Sequence, residues 1–407
     1  MKIKHCRNCS SKKLLNLFSL GNIFFTGKFL KKNNKARKGS IDVVMCDKCK
    51  LVQLKNNFDL NYMYGKDYGY RTGINTTMTK HVAGVVKKLS SMVKIKKNDY
   101  VLDIASNDGT LLNFYDKRVV TFGVDPLVNK YIKNYKKINF KISEFFSAKP
   151  VIKKVKNIKF KIITALSVFY DMKKPNKFLS DVKKILHNDG ILLLEFADLG
   201  SIVKYNMFDT FCHEHLEYYS AKVISKMCEK NDLRLFDMKS NNINGGSIQF
   251  FICKKKSIYK NNISALNKIY RKETQLQLGE RNTYFKFIKR VEKIKNKLNF
   301  FLNSEIKKGK IIHGYGASTK GNVLLQYFGL TNKSISHIAE RNPDKYNLYT
   351  PGTQIKIISE KNSRNILPDY YLVLPWHFKD EILKREKQTI KKGSKFIFPL
   401  PDFVIKH

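Results

Sequence analysis

Long apolar runs are missing from this 407-residue sequence. No stretch approaches the ~18 consecutive apolar residues that a membrane-spanning helix needs, so we expect no membrane partner. The chain opens with Met-Lys-Ile-Lys-His-Cys, which is not the start of a secretory leader. Low-complexity tails and short repeats are missing as well. These absences predict a cytoplasmic globular protein with room for two or three domains.

Acidic residues are scarce. The sequence has 33 Asp and Glu against 78 Lys and Arg, which gives a formal net charge of +45. Such a field attracts nucleic acid and anionic lipid. However, Lys greatly outnumbers Arg and is spread along the chain with Asn and Ile, whereas a nucleic-acid surface concentrates Arg among aromatic side chains. We interpret the excess as the mark of an AT-rich genome and expect no nucleic-acid partner, although an anionic small substrate would benefit from the field.

Cysteine is infrequent, but four of the seven cysteines form two Cys-x-x-Cys pairs, Cys6 with Cys9 and Cys46 with Cys49. Each pair can place two thiolates on one face of a turn, and two pairs complete a tetrahedral zinc shell. Such a closed shell leaves no open position for chemistry, so the zinc would be structural. Two disulfides or four unrelated thiols are the alternatives. The scattered positions of the other three cysteines fit a reducing compartment.

The rest of the chain alternates between apolar runs and helical segments, which predicts an α/β fold with a parallel sheet. A helix is expected over residues 76–93 and a turn at Asn188-Asp-Gly190. The expected strands are residues 100–104, 119–124, 160–165 and 191–196. A charged segment at 261–308 predicts a helical connection, and a second α/β unit begins at Lys310.

The first predicted strand leads into a turn that is typical of nucleotide binding. Gly109 would let the backbone approach a ligand closely, and a helix is expected from Thr110. Asp125 lies 22 residues after Asp103 at the end of the second strand, where its carboxylate can accept hydrogen bonds from both ribose hydroxyls. The turn departs from G-x-G-x-x-G and lacks a P-loop Lys, which favours S-adenosylmethionine over NAD and ATP. A turn that merely packs helix on strand is the alternative. The predicted cofactor-binding residues are Asp103, Ala105, Ser106, Asn107, Gly109, Asp125 and Pro126.

A cluster of titratable residues follows at His213-Glu214-His215. It offers a neutral base, a carboxylate to orient that base and a second imidazole. Successive residues cannot all face one ligand, so we expect two of the three to act. A metal-binding His-x-His would need further ligands, and a merely structural role is the remaining alternative.

With the cysteine pairs, these motifs resemble those of the three-part sugar C-methyltransferases that act on nucleotide-linked 4-keto-deoxyhexoses. The resemblance covers nearly the whole chain and includes the motifs Tyr68–Gly73, Gly123–Pro126, Asn244–Ser247, Gly314–Asn322, Glu340–Lys345 and Pro351–Thr353. It implies a zinc-binding lobe over residues 1–60 and a class I (Rossmann-like) methyltransferase domain over 61–255. A helical connector over 256–309 and a C-terminal Rossmann-like substrate-binding domain over 310–407 would follow.

The resemblance also implies carbon alkylation beside a ketone. A base removes the proton α to the 4-keto group, and the enolate attacks the methyl group of S-adenosylmethionine. The developing oxyanion needs a hydrogen-bond donor or a cation nearby. On this sequence, His215 is the predicted base, Glu214 would orient it or relay the proton, and Tyr70 would line the junction between methyl donor and sugar.

Two departures from the family pattern leave the base open. The family carries an Asn and a His four residues apart after the third strand, where this chain has Ser167-Val-Phe-Tyr-Asp171. A Tyr that often precedes the His-Glu-His run is Cys212 here. Tyr170 or Asp171 is therefore an alternative active-site residue, and the identity of the methylated ring carbon stays open.

The C-terminal unit has its own turn, Gly314-Tyr-Gly316, but no third Gly at the spacing of a dinucleotide site. The resemblance instead implies that this lobe holds the nucleotide diphosphate of the sugar. Lys320 and Arg341 are the predicted diphosphate partners, and Gly316 and Asn322 are also assigned to the substrate. Trp376 and His377 are further candidates for a contact with the base or sugar.

Two other functions fit parts of the sequence. One is a methyltransferase that modifies an oxygen or nitrogen acceptor, which needs no enolisation. The other is a zinc-containing nucleic-acid-binding protein, which does not need the His-Glu-His run. The oligomeric state is undetermined at this point.

Overall fold

The computed structural model describes residues 2–32, 36–65 and 68–407. The strands are β1 (Leu14–Phe24), β2 (Lys38–Cys46), β3 (Val52–Leu54), β4 (Tyr100–Ile104), β5 (Val120–Val124), β6 (Phe140–Ile142), β7 (Phe160–Leu166), β8 (Leu186–Phe196), β9 (Glu217–Tyr218), β10 (Leu233–Asn241), β11 (Ser247–Lys254), β12 (Ile312–Tyr315), β13 (His337–Glu340), β14 (Lys356–Ser359), β15 (Tyr370–Val373), β16 (Lys395–Phe398) and β17 (Val404–Lys406). The helices are α1 (Leu60–Met63), α2 (Thr76–Val93), α3 (Ala148–Lys154), α4 (Pro175–Ile185), α5 (Leu199–Lys204), α6 (Ala221–Lys230), α7 (Ile263–Gln275), α8 (Arg281–Lys307), α9 (Thr319–Phe328), α10 (Glu360–Ile366), α11 (Lys379–Arg385) and α12 (Lys387–Lys391).

The N-terminal lobe is a small antiparallel sheet with the strand order β1-β2-β3-β9. Its last strand comes from far along the chain, since β9 follows the His-Glu-His run. In the pairing of β3 with β9, Val52 lies opposite Tyr218 and Gln53 opposite Glu217. The lobe therefore shares hydrogen bonds with the segment that carries the predicted base.

The central sheet has the strand order β10-β11-β8-β7-β4-β5-β6. Strands β4 to β8 are parallel, and β11 runs antiparallel between β8 and β10. The carboxyl ends of the parallel strands meet at one edge, which is where ligands of open α/β sheets bind. This is the class I methyltransferase topology that the resemblance implies.

Two local predictions in this domain differ from the structure. Residues 110–112 do not form an α-helix, because the chain makes only a short 3₁₀ turn at Leu112–Phe114. Asn188-Asp-Gly190 does not precede β8 but lies within it as a bulge: the pairing with β7 jumps from Phe160/Leu186 to Ile162/Ile191. The additional residues on the β8 side do not pair with β7 and lie outside the hydrogen-bonded ladder.

The C-terminal sheet has the order β14-β13-β12-β15-β16-β17. All of its neighbouring strands are parallel except the edge pair β16 and β17. The chain between the two larger sheets forms α7 and α8. Helix α7 packs against α6 and β10 of the central domain, whereas α8 packs against β1 of the lobe.

One hydrophobic core joins the N-terminal lobe to the C-terminal domain. It contains side chains from four regions: Ile41, Val43 and Leu54 from the lobe, Leu199, Phe208 and Phe211 from the central domain, Phe287, Val291 and Leu298 from α8, and Val323, Leu324 and Leu372 from the C-terminal domain. Since burial of this apolar surface is the main stabilising contribution, the lobe and the C-terminal domain support each other. Within the described ranges, no helix is both long and apolar enough to cross a membrane.

Candidate active site

The two Cys-x-x-Cys pairs come together at the edge of the N-terminal lobe. The sulfur atoms of Cys6, Cys9, Cys46 and Cys49 lie within 4.8 Å of one another, and all four are free thiols. The Sγ atoms of Cys6 and Cys49 are 3.6 Å apart, and those of Cys9 and Cys46 are 3.5 Å apart. Zinc with tetrahedral bonds of ~2.3 Å to sulfur requires sulfur separations of about 3.8 Å. The cluster therefore fits zinc, and its separations are too long for disulfides.

A hydrogen bond outside the cysteine shell orients this cluster. The Gln53 side-chain amide donates to Cys6 Sγ over 3.3 Å. Such contacts fix the direction of a metal ligand. Because Gln53 lies on β3 opposite Glu217, the zinc site is continuous with the strand that follows the His-Glu-His run.

A cavity of about 420 Å³ lies between the central and C-terminal sheets. It is bounded by the carboxyl ends of β4, β5 and β7 on one side and of β12, β13 and β15 on the other. Gly27 and Phe29 of the N-terminal lobe also line it. Among the predicted site residues, it is lined by Tyr70, Asp103, Ala105, Ser106, Asn107, Asp125, Pro126, Asp171, Glu214, His215, Gly316, Lys320 and Arg341.

Asp125 is held at the cavity by backbone donors. Its Oδ2 accepts from the Asn107 N–H over 2.9 Å, and its Oδ1 accepts from the Leu127 N–H over 2.7 Å. Each carboxylate oxygen keeps a lone pair for a ribose hydroxyl. Burial raises the pKa of Asp125 to about 6, and burial raises that of Asp103 to about 7.

The turn after β4 is shaped by left-handed backbone at Ala105 (φ 58°) and Asn107 (φ 50°). The Asn107 side chain then bonds the segment Tyr70–Thr72, which is part of the motif Tyr68–Gly73. Within this segment, only Tyr70 was predicted to lie at the site. Its amide donates to the Tyr70 carbonyl over 3.2 Å and accepts from the Thr72 N–H over 3.0 Å. This segment closes the cofactor end of the cavity, and the Tyr70 side chain, 44% exposed, lines it.

Gly109 is not among the lining residues, contrary to the expectation that a ligand approaches it. It has φ +73°, and a Cβ there would lie 2.8 Å from Ile138 Cδ1 and 3.4 Å from the Tyr135 ring. The missing side chain therefore allows the turn to pack on residues beneath it. At Gly109, the structure therefore agrees with the alternative in which the turn serves only for packing. The rest of the turn faces the cavity.

His215 presents one ring nitrogen to the cavity. Its Nδ1–H donates to the Thr210 carbonyl over 2.8 Å, which leaves Nε2 as the unprotonated nitrogen. The Tyr170 ring packs against the imidazole at a centroid distance of 4.2 Å. Burial, reinforced by the charge of Lys320, lowers the pKa of His215 to about 3, so the ring is neutral at physiological pH.

The other two members of the run have different surroundings. His213 does not line the cavity: it stacks on Phe25 at 4.2 Å, and its Nε2–H donates to the Gly39 carbonyl over 3.0 Å. Burial lowers the pKa of His213 to about 4. Glu214 lines the cavity and accepts from the Thr26 hydroxyl over 3.3 Å, and burial raises its pKa. The Thr210 carbonyl, not Glu214, therefore orients the His215 ring.

Asp171 lines the cavity beside Tyr64, a residue that sequence reasoning did not select. The Tyr64 hydroxyl donates to Asp171 Oδ2 over 2.6 Å. Burial raises the pKa of Asp171 well above its ordinary value. Asp171, at which this chain departs from the family pattern, thus lies in the same cavity as His215.

Lys320 lies at the start of α9, near the His215 end of the cavity. Its Nζ donates to the Asn244 carbonyl over 3.3 Å. The Asp209 carboxylate interacts electrostatically with it and accepts a hydrogen bond from Trp376 Nε1 over 2.9 Å. His377 lines the same region, where burial and the charge of Lys320 lower its pKa.

Arg341 lies in a different group of charges. Its Nη1 is 3.8 Å from Glu381, which also lies 3.6 Å from Arg385. Arg385 in turn donates to the Tyr315 hydroxyl over 2.6 Å and lies 2.8 Å from Glu360. Both arginines line the cavity. Arg385 was not predicted, because nothing in the local sequence distinguishes it from the other basic residues of α11.

Asn322 and Gly316, the other predicted substrate residues, differ in placement. Asn322 is 1% exposed and does not line the cavity, since its amide donates to the Thr26 carbonyl over 2.7 Å and ties α9 to the lobe. Gly316 (φ +80°) does line the cavity, and a Cβ there would lie 2.7 Å from the Pro375 ring.

Comparison with known families divides the chain into three matched parts. Residues 6–64 match a "Putative zinc binding domain", residues 74–237 a "Methyltransferase domain" and residues 242–401 a "C-methyltransferase C-terminal domain". The chain is 27% identical to C-methyltransferase NovU of Streptomyces niveus, over 98% of this chain and 96% of the relative.

Two solved structures also resemble this chain. One is an S-adenosylmethionine-dependent methyltransferase from Clostridium acetobutylicum ATCC 824 (13% identity, 43% of this chain and 92% of that chain, TM-score 0.35). The other is magnesium protoporphyrin IX methyltransferase from Synechocystis PCC 6803 (13% identity, 48% of this chain and 88% of that chain, TM-score 0.33).

Proposed function

We propose, from the premise that this chain belongs to the C-methyltransferase family with an N-terminal zinc-binding domain, that its substrate is a nucleotide-linked 4-keto-deoxysugar. The methyl group would be added to the carbon α to the keto group of that sugar. The chain is an S-adenosylmethionine-dependent methyltransferase. When bound, S-adenosylmethionine supplies an electrophilic methyl group.

The observation that carries the proposal is the state of His215. Its Nδ1–H is committed to the Thr210 carbonyl, and its Nε2 lone pair is available in the cavity. A neutral imidazole held in one tautomer is suited to accept a proton from carbon. Methylation of an oxygen or nitrogen needs no such abstraction from carbon, so the arrangement favours an enolisable substrate.

The cofactor and the sugar would occupy opposite ends of the same cavity. Asp125 and Asp103 would hold the cofactor, with Ala105, Ser106, Asn107 and Pro126 beside them. Arg341 and Arg385, with guanidinium groups at the C-terminal sheet, would bind the diphosphate, since such groups pair well with phosphate oxygens. His215 would then lie where the sugar ring of the substrate meets the cofactor.

Deuterium exchange tests the proposal directly. The protein is incubated in D₂O with TDP-, UDP-, GDP- and CDP-linked 4-keto-6-deoxyhexoses, without methyl donor, and exchange at the α carbon is followed by NMR. We expect exchange with at least one of these sugars, and methylation of the exchanging carbon once S-adenosylmethionine is added.

The variant His215→Asn is expected to lower exchange and turnover by about 10²-fold or more, the usual contribution of a general base. Its affinity for S-adenosylmethionine should be unchanged by calorimetry. His187→Asn, a histidine outside the cavity, is the matched control. Methyl transfer to an oxygen or nitrogen acceptor, with no exchange at carbon in the wild type, would contradict the proposal.

A cytoplasmic location is part of the proposal. All seven cysteines are free thiols, as expected in a reducing compartment. The net charge of +45 suits anionic small substrates without requiring nucleic acid.

A further inference from the structure

Lys320 is half-buried, and the Asp209 carboxylate, which interacts with it electrostatically, has few hydrogen-bond donors of its own. Asp209 is 0% exposed, and its Oδ1 has no hydrogen-bond partner among the described residues, while Oδ2 accepts from Trp376. A buried carboxylate with an open oxygen favours a charged partner nearby. Burial lowers the pKa of Lys320, whereas Asp209 acts in the opposite direction and favours the ammonium form.

The Lys320 ammonium also has capacity for a ligand. Its one hydrogen bond to protein is the 3.3 Å contact to the Asn244 carbonyl, among those found in the described part of the chain. An ammonium carries three donors. Since Lys320 lines the cavity, the remaining donors are available to a bound molecule.

Besides Asp209, the titratable groups near Lys320 include the imidazoles of His215 and His377, and not the arginines of the cavity. Its charge is among the causes that lower the pKa of His215 and of His377. Arg341 and Arg385 instead gather around Glu381 and are absent from this group. The cavity therefore has two separate cationic regions, one at the predicted base and one at the C-terminal sheet.

We propose that Lys320 is a catalytic residue that binds the enolate oxygen formed when His215 removes the α proton, and that it is not a diphosphate ligand. The inference rests on the proposed function. In the step, the C–H bond breaks and the proton goes to His215 Nε2. The C–H electron pair forms the C=C bond, and the carbonyl π pair moves to the oxygen. The Lys320 ammonium keeps its proton and donates a hydrogen bond to that oxygen.

The second half of the reaction reverses the charge movement. The oxygen pair re-forms the carbonyl, and the C=C pair forms the new bond to the methyl carbon as the bond from methyl to sulfur breaks. His215 then releases its proton to solvent. One proton is liberated overall for each methyl group transferred.

The placement of Lys320 compensates for the weakness of the base. An imidazolium next to an ammonium is unfavourable, which is why this lysine lowers the pKa of His215. Enolate formation places a negative charge between the two cations. The attraction of that charge to the imidazolium and to the ammonium arises only when the enolate forms. Interactions that strengthen as the transition state forms are those that accelerate a reaction.

The test compares Lys320→Met with Arg341→Met. With the 4-keto sugar that the wild type deuterates, we expect Lys320→Met to lower exchange at saturating sugar by about 10²-fold or more, the scale of a lost oxyanion donor. Its affinity for the free nucleoside diphosphate should stay within about 3-fold, a difference of less than 1 kcal/mol. Arg341→Met should keep exchange at saturating sugar and raise KM.

Lys320→Arg provides a second variant in case the methionine variant does not fold. It keeps the charge beside Asp209 but displaces the donor atoms, so we expect slower exchange with unchanged nucleoside diphosphate affinity. The inference is overturned if Lys320→Met behaves as Arg341→Met does. Absence of exchange in the wild type, with every sugar, would instead overturn the proposed function and this inference together.

Discussion

At the scale of single residues, the His-Glu-His run contains three neighbouring side chains with three different environments. His213 is stacked among aromatic rings, Glu214 is buried at the cavity wall, and His215 has a free nitrogen in the cavity. Alternation of the side chains along the segment is predictable from sequence. The tautomer of His215 is not, because it depends on the Thr210 carbonyl in a short 3₁₀ turn.

The affinity for S-adenosylmethionine should depend on the ionisation of Asp125. Burial raises its pKa to about 6, so the carboxylate dominates above pH 6 and the neutral acid below. Only the carboxylate accepts a hydrogen bond at every lone pair. Asp103, whose pKa burial raises to about 7, titrates in a neighbouring range. The contribution of Asp125 should therefore be a decrease in affinity below about pH 6, by up to about tenfold for each unit.

Calorimetry between pH 5 and pH 8 measures this dependence. Asp125→Asn cannot ionise, so it should bind more weakly and lack the decrease in affinity near pH 6. Asp103 is retained in that variant, so a decrease in affinity that both proteins show at or below pH 7 belongs to Asp103 and not to Asp125. If the two proteins show the same pH profile, a group other than Asp125 governs it.

At the scale of elements, Arg7 connects the zinc turn to the segment that carries the base. It lies between two cysteine ligands and donates to the carbonyls of Leu54 and Leu216, over 2.8 and 3.3 Å. Its Nε is 3.5 Å from Glu217, and the two side chains are 3% and 0% exposed. The zinc turn thereby fixes the residues that directly follow His215.

We expect Arg7→Met to retain zinc and lower turnover, because the zinc turn remains while β9 loses its anchor. The loss of one partner from a buried ion pair typically costs about 3–5 kcal/mol of stability. Urea unfolding, zinc quantification and turnover are measured together. Lys48→Met, an exposed substitution in the other Cys-x-x-Cys turn, is the matched control. Normal turnover and stability in Arg7→Met would show that the Arg7 contacts do not connect the zinc turn to the active site.

The sequence predicts the elements of the central domain well where local pattern determines them. The expected strand at residues 100–104 is observed, and the helix expected at 76–93 coincides with α2. The fold class and the cysteine cluster of the zinc-binding lobe are confirmed. By contrast, β9 has only two residues and exists because β3 pairs with it. Nothing in the local sequence indicates such a strand, and the same is true of Arg385 and its contacts.

At the scale of the whole molecule, the zinc lobe and the C-terminal domain should unfold together. They share one hydrophobic core through α8 and through residues 197–218 of the central domain, and the Asn322 amide bonds the Thr26 carbonyl across their boundary. A unit that shares its core with another lacks enough buried apolar surface to be stable by itself. Loss of zinc should therefore destabilise residues far from the metal.

The single tryptophan of the chain provides a specific probe of this coupling. Trp376 lies in the C-terminal domain and bonds the buried Asp209 of the central domain. Its fluorescence therefore follows the packing of the C-terminal domain on the central domain, whereas zinc release to a chromophoric chelator follows the lobe. In urea, the two midpoints should coincide. Cys46→Ser should shift the Trp376 midpoint downward, because a structural zinc stabilises only the folded chain. If the variant loses zinc while the Trp376 midpoint is unchanged, the lobe folds independently and the shared core does not couple the two.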